Sequence, residues 1–140
     1  MLLGTLAASC QSLYEDASSG SLYGDLTEIS YTTASNAMLS LDYSKFDASV
    51  VFHNYENGRG TIKFAEELQT IRYNAFYGQT DLKSIVLPNS LRVISNNAFT
   101  GCTRLTDVSL NNSLYELGDN AFEGCTSLTT IKIPGELVKM

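Results

Sequence analysis

Few side chains in this 140-residue chain could do chemistry. His53 is the single histidine, which excludes a zinc site built on several histidines or a pair of imidazole acid/base groups. No Cys-x-x-Cys or His-Glu-x-x-His spacing occurs, and no nucleophile motif accompanies His53, which is expected to be an outward-facing or hydrogen-bonded strand residue. The chain is therefore predicted not to be an enzyme and to need no cofactor.

Acidic residues suggest a calcium site only superficially. The pair Glu66-Glu67 and the aspartates Asp81, Asp107 and Asp119 match neither an EF-hand loop nor a glycine-aspartate nonapeptide. Solvated carboxylates are the favoured interpretation, and no metal is predicted.

An internal repeat dominates the chain around these residues. The tripeptide Asn-Ala-Phe starts at Asn74, Asn97 and Asn120, with a constant step of 23 residues. Each copy is followed at constant spacing by a glycine, a threonine and the pattern L-x-x-I-x-L. In the first copy this pattern spans residues 82–87. Repeats of this length indicate units that stack on copies of themselves to bury an apolar face.

Each repeat is predicted to form one coil with two short strands. Alternate side chains of residues 82–87 point inward, and Leu91-x-x-Ile94 forms the second strand. The Ala-Phe-x-Gly segment is too short for a regular helix, so one helical turn is expected. In the second copy Asn97 lies near its N-terminus, accepting a backbone N–H, and Gly101 closes it. Phe99 is expected to fill the corner of the coil.

Cys102 and Cys125 occupy equivalent positions on successive coils, so they should lie about 4.8 Å apart. A disulfide is within reach, but parallel in-register side chains rarely adopt the ~90° torsion that it prefers. Gln79 occupies the same column of the first repeat, which favours packing over redox chemistry. Buried free thiols are therefore expected.

The repeat resembles the BspA-type leucine-rich repeats of bacterial surface proteins. The resemblance covers Leu68 to Ile133, and the first copy departs from it in having Gln79 where the others have cysteine. The segment from Glu28 to Phe64 also resembles the lead-in of such repeats in gut Bacteroidetes surface proteins. The resemblance implies a mainly β fold with short helical turns: a leucine-rich-repeat-type solenoid of about three and a half coils with a β-rich N-terminal cap.

Three segments are predicted within one compact body. Residues 1–22 hold an apolar run that ends in small residues before Cys10, followed by a serine-rich tether. They resemble a bacterial lipoprotein signal with Cys10 as the lipidated residue, although no positive charge precedes it. The alternative is an ordinary apolar N-terminus with a buried cysteine. Residues 23–60 are the cap, and residues 61–140 the solenoid.

The cap is predicted from short strand signals, among them Met38 to Tyr43 and Val50 to Phe52. The pair Asn57-Gly58 predicts a hairpin that joins Val50 to Phe52 with residues 61–64. Residues 61–64 also lie one repeat step before residues 84–87, so they are expected to be the first strand of the ladder.

Charge and exposed positions indicate the kind of partner. A net charge of −6, a pI near 4.6 and the lack of a basic cluster argue against nucleic acid and against an anionic membrane surface. The membrane is expected to be involved only through the lipid anchor. Candidate binding residues are tyrosines and arginines at positions that the repeat leaves variable, because these types are enriched at interaction hot spots: Arg72, Tyr73, Tyr77, Arg92 and Tyr115.

The expected function, implied by the resemblance, is adhesion. The protein would be exported and held at the outer membrane or cell surface as a lipoprotein, or reside in the periplasm, and bind a protein or glycan outside the cell. The alternative is a structural element that self-associates through its C-terminal coil, because residues 134–140 begin a further coil without a capping segment.

Overall fold

The computed structural model describes residues 27–133, which form two sheets with almost no helix. The mainly β class is confirmed, whereas Cys10, the tether and the C-terminal residues 134–140 lie outside the described range. In chain order the elements are β1 (Glu28–Thr33), a 3-10 helix η1 (Tyr43–Lys45), β2 (Val50–Glu56), β3 (Arg59–Phe64), β4 (Thr70–Ile71), β5 (Leu82–Val86), β6 (Val93–Ile94), β7 (Asp107–Ser109) and β8 (Glu116–Leu117).

The first sheet has the strand order β2-β3-β1-β5-β7, and the second has the order β8-β6-β4. In the second sheet the three strands are parallel and in register at one repeat step, with Thr70 beside Val93 and Val93 beside Glu116. Strands β5 and β7 are also parallel, with Ile85 beside Val108. Two short strands per repeat are therefore confirmed for the repeat that contains β5 and β6 and the one that contains β7 and β8.

The prediction that residues 61–64 begin the ladder is wrong. Strand β1 lies between β3 and β5 and is antiparallel to both, with Ile29 opposite Ile62 and Tyr31 opposite Ile85. Ile29 and Tyr31 are almost completely buried, so β1 fills the interior as well as pairing two strand edges. The Tyr31 ring lies over Gly60, where a Cβ atom would come 2.1 Å from the ring, and this contact fixes the register.

The predicted strand at Met38 to Tyr43 is also absent from the described structure. Leu39 is buried and Leu41 packs against the core, whereas Met38 is exposed. The Nε2 of Gln79 donates to the Ser40 carbonyl at 2.9 Å, and Asp42 caps η1 by accepting from the Ser44 N–H at 3.0 Å. Side chains thus make the hydrogen bonds to the backbone of this segment that a neighbouring strand would otherwise make.

The Asn-Ala-Phe corners are not helical turns. Asn74, Asn97 and Asn120 have φ near +60°, the left-handed region, whereas an N-cap residue needs an extended backbone, so the predicted capping role is wrong. The Phe76 and Gly78 amides donate to carbonyls of the next repeat at 2.7 and 2.8 Å, while the Tyr77 amide closes a tight turn to Asn74. Asparagine tolerates this φ better than most residues. The closing glycine of each corner is confirmed, with Gly101 at φ +81°.

The core contains the predicted column of phenylalanines. Phe76 and Phe99 stack with ring centroids 4.9 Å apart and an angle of 2°, and Phe99 and Phe122 with 5.1 Å and 6°. Phe46 from the cap packs edge-on against Phe76 at 5.9 Å and ends the column. Phe76 and Phe99 are fully buried beside Leu82 and Leu105, which confirms the repeat register.

Phe46 and Asp47, from the segment predicted to be the cap, also cover the edge of the second sheet. Phe46 forms an antiparallel bridge with Ile71, and an Asp47 carboxylate oxygen accepts from the Gln69 and Thr70 amides, both at 3.0 Å. The Asn57-Gly58 hairpin is confirmed, with both residues at positive φ between Glu56 and Arg59.

The third copy of the L-x-x-I-x-L pattern, residues 128–133, forms no strand in the described structure. Ile131 is half-buried and Ile133 is 38% exposed, whereas Ile85 in the first copy is buried. This copy therefore gains little from packing, and the coil count of the sequence analysis stays a prediction.

The two thiols of the cysteine column are buried and free, as predicted. The Cys102 Sγ lies 3.1 Å from the Phe76 carbonyl oxygen, and the Cys125 Sγ 3.1 Å from that of Phe99. Burial raises the pKa of Cys102 to about 12 and also raises the pKa of Cys125. Since thiolates are the reactive form, both residues are packing groups.

A Cys10→Ser variant should therefore show no thiol that reacts with Ellman's reagent at pH 8 while it is folded. Two thiols should react after unfolding in guanidinium, because the reagent can then reach Cys102 and Cys125. Fast reaction of one thiol in the folded variant would contradict the burial.

Candidate binding surface

The outer surface of the second sheet presents the variable positions of the repeat. Ile71, Ile94 and Leu117 point inward from β4, β6 and β8 and are buried. Residues just before and just after these strands therefore form columns that run across neighbouring repeats. Most of the candidate residues lie in these columns.

Arg92 and Tyr115 form one pair. They occupy equivalent positions before β6 and β8, and the Arg92 guanidinium lies over the Tyr115 ring, 5.1 Å from its centroid. Arg92 is exposed and Tyr115 is 38% exposed. A guanidinium on an aromatic face keeps both side chains extended at the surface, which lowers the entropy lost when a partner binds.

Arg72 and Tyr73 are held by the cap. The Arg72 guanidinium donates to the Ser44 carbonyl at 2.8 Å, and the Lys45 Nζ lies 3.8 Å from the centroid of the Tyr73 ring. Tyr73 nevertheless remains 59% exposed. Sequence reasoning missed Lys45, because it lies in the cap and no repeat position marks it. Tyr77 is 58% exposed on the phenylalanine corner.

A groove opens beside Tyr73 and extends to Asp119. Tyr73, Asn96 and Asp119 are equivalent positions, and the adjacent column contains Arg72, then Ser95, then Gly118. The groove has a volume of about 460 Å³, and Ser95, Asn96, Gly118, Asp119 and Glu116 line it beyond Tyr73. A Cβ atom on Gly118 would lie 2.5 Å from the Asn96 nitrogen, so glycine lets the two backbones approach here.

His53 lies in the cap and not on this surface. Its Nε2 is 2.8 Å from the Tyr31 hydroxyl and its Nδ1 is 2.7 Å from the Tyr43 hydroxyl. Burial lowers its pKa, so the ring is neutral at physiological pH. Both nitrogens are held by tyrosines, which confirms a hydrogen-bonded strand residue.

The acidic residues considered for calcium are distributed over the fold. The Asp81 carboxylate accepts from the Ser35 amide at 3.1 Å and lies 3.8 Å from Arg104, which ties the cap to the first repeat. Within residues 27–133 no three His, Cys, Asp or Glu side chains are grouped closely enough to hold a metal ion. No helix in that range is long and apolar enough to cross a membrane.

Parallel strands one repeat apart, a stacked phenylalanine column and variable residues displayed outside it define a leucine-rich-repeat protein. A family model described as a BspA type leucine rich repeat region of six copies matches residues 48–140 of this chain. The chain belongs to this family, as its repeat predicted. Members are generally non-catalytic repeat modules and typically bacterial surface or secreted proteins, and leucine-rich-repeat modules generally bind proteins.

Among solved structures, the chain is similar to the crystal structure of a leucine rich repeat protein from T. pallidum. The two are 37% identical with a TM-score of 0.51, over 52% of this chain and 34% of that chain. The match thus spans about a third of the length of that protein. The search of curated proteins found none that matches this chain.

Proposed function

We propose that this protein is a non-catalytic cell-surface module that binds an extracellular protein or glycan through the outer surface of its second sheet. The observation that carries the proposal is the exposed Arg92–Tyr115 pair, displayed on a backbone that hydrogen bonds fix between repeats. Arginine and tyrosine are the types that dominate binding hot spots. A stack of about three and a half solenoid coils would extend this face while each repeat keeps its own core.

The proposed location is the outer membrane or cell surface, through lipidation of Cys10, with the periplasm as the alternative. Family membership supports export, and the small residues before Cys10 support the anchor. A Cys10→Ser variant that stays in the membrane fraction would contradict the anchor without touching the binding proposal.

Capture of the full-length protein on surfaces coated with laminin, type I collagen, fibronectin or mucin tests the binding proposal. At least one coating should retain it. The double variant Arg92→Ala with Tyr115→Ala should bind that coating about tenfold more weakly or worse, a loss of about 1.4 kcal/mol that is modest for two hot-spot residues.

Lys83→Ala is the matched control, because Lys83 is exposed on the first sheet, away from the pair. It should bind within twofold of the wild type. Failure of every coating to retain the protein, or equal losses in both variants, would refute the proposed surface.

The alternative is a structural element that self-associates through the C-terminal coil. Phe122, at the last described corner, is only half-buried, whereas Phe76 and Phe99 are fully buried. Sedimentation velocity across a wide concentration range should show dimers or longer assemblies if this alternative holds, and Phe122→Ser should remove them.

A further inference from the structure

The groove beside Tyr73 owes its shape to a taper in one column of the repeat. Side chains decrease from Arg72 through Ser95 to Gly118, while their repeats stack at the strand spacing of about 4.8 Å. Tyr73, next to Arg72, forms the wall at one end of the groove, and Ser95 and Gly118 of the tapering column line it farther along. Close approach of the Gly118 and Asn96 backbones holds this part of the groove, its floor, in place.

The polar groups of the groove are oriented and include donors and acceptors. The Asn96 Oδ1 accepts from the Asp119 amide at 2.7 Å, so the side-chain NH₂ of Asn96 points away from that bond with two donors. The Asp119 carboxylate supplies acceptors, and the Ser95 hydroxyl can do either. Asn96 and Asp119 are both exposed, beside the exposed ring of Tyr73.

Charge decides between the ligands that such a site could take. Lys45 lies at the tyrosine end, and Glu116 and Asp119 lie at the other. A cationic ligand would meet Lys45, whose ammonium already occupies one face of the Tyr73 ring, and an anionic ligand would meet the two carboxylates. A neutral ligand rich in hydroxyl groups avoids both repulsions and matches the mixed donors and acceptors.

We infer that this groove binds a neutral saccharide, with a sugar ring against Tyr73 and its hydroxyls on Asn96 and Asp119. The apolar C–H face of a sugar suits an exposed aromatic face, and vicinal hydroxyls pair with side-by-side amide and carboxylate groups. The groove volume of about 460 Å³ is large enough to hold a sugar ring. The inference rests on the proposed extracellular binding function and names a ligand class for a subsite next to the Arg92–Tyr115 pair.

The test is a titration of the full-length protein with mannotriose, cellotriose and chitotriose in turn, with saturation-transfer NMR as the measurement of binding. At least one trisaccharide should bind and receive saturation on its ring C–H protons. Tyr73→Ala and Asn96→Ala should each weaken that binding about tenfold or more. Phe52→Ala is the matched control, because Phe52 is an exposed aromatic residue of strand β2 that does not line the groove, and it should leave trisaccharide binding unchanged.

Thermal melts of each variant separate a lost contact from a lost fold. Absence of binding to all three trisaccharides overturns the inference, as does equal weakening by Phe52→Ala. Binding of an oligolysine peptide that Tyr73→Ala and Asn96→Ala abolish would reassign the groove to a cationic partner.

Failure of this inference is distinguishable from failure of the proposed function. Capture on a protein coating that depends on Arg92 and Tyr115, without saccharide binding, would remove the inference alone. Saccharide binding without capture of the protein on any coating would support the groove as a saccharide site and refute the role proposed for the Arg92–Tyr115 pair.

Discussion

Replacing Phe99 by alanine is expected to lower the free energy of unfolding by ~3–5 kcal/mol. Phe99 is the middle ring of the column, fully buried and stacked on both sides by Phe76 and Phe122. Truncation removes the buried ring and leaves a cavity that the neighbouring repeats cannot close, because hydrogen bonds between repeats hold their spacing. Urea unfolding followed by circular dichroism measures the loss.

Tyr77→Ala is the control for this experiment, since it removes a comparable ring from an exposed position of the same corner. Its free energy of unfolding should stay within about 0.5 kcal/mol of the wild type. Similar stabilities for the two variants would show that the column does not carry the fold.

Replacing Gly118 by alanine is expected to cost ~1–3 kcal/mol of stability through steric clash. The new Cβ would lie 2.5 Å from the Asn96 nitrogen and 2.6 Å from the Ser95 carbonyl carbon. These are backbone atoms, so relief requires the two neighbouring backbone segments to move apart. The same variant should weaken trisaccharide binding, because the floor of the groove shifts.

The variant Gly78→Ala distinguishes the effect of a steric clash on stability from the effect of backbone strain. Gly78 has φ +71°, but a Cβ there would meet nothing within 4 Å, so the cost is only the left-handed conformation, about 1–2 kcal/mol. Trisaccharide binding should survive in this variant. Loss of binding in Gly78→Ala but not in Gly118→Ala would contradict the role assigned to the floor.

Much of the repeat could be predicted because equivalent residues stack on one another. A step of 23 residues places Phe76 on Phe99 and Cys102 beside Cys125 once the repeats are parallel, and each pairing then recurs without further information. The hairpin at Asn57-Gly58 was predictable for a local reason, since positive φ at both positions suits this pair.

The errors have physical causes that a repeat period does not encode. The period implied that residues 61–64 pair with β5, but β1 competes for both edges and brings Ile29 and Tyr31 into the core. Such pairing joins residues far apart in the chain, so the local sequence pattern does not predict it. The Asn-Ala-Phe corner was misjudged because asparagine suits both an N-cap and the left-handed region.

The sequence by itself determined the family, the repeat register and the residue types on the outer surface, because all of these follow from a period and from composition. Tertiary structure alone decided that Lys45 of the cap lies on Tyr73, that Arg92 lies on Tyr115, and that the taper at Gly118 becomes a groove. Distances between side chains of different repeats depend on backbone spacing and on the cap. Both are set by packing between segments that are remote in the chain.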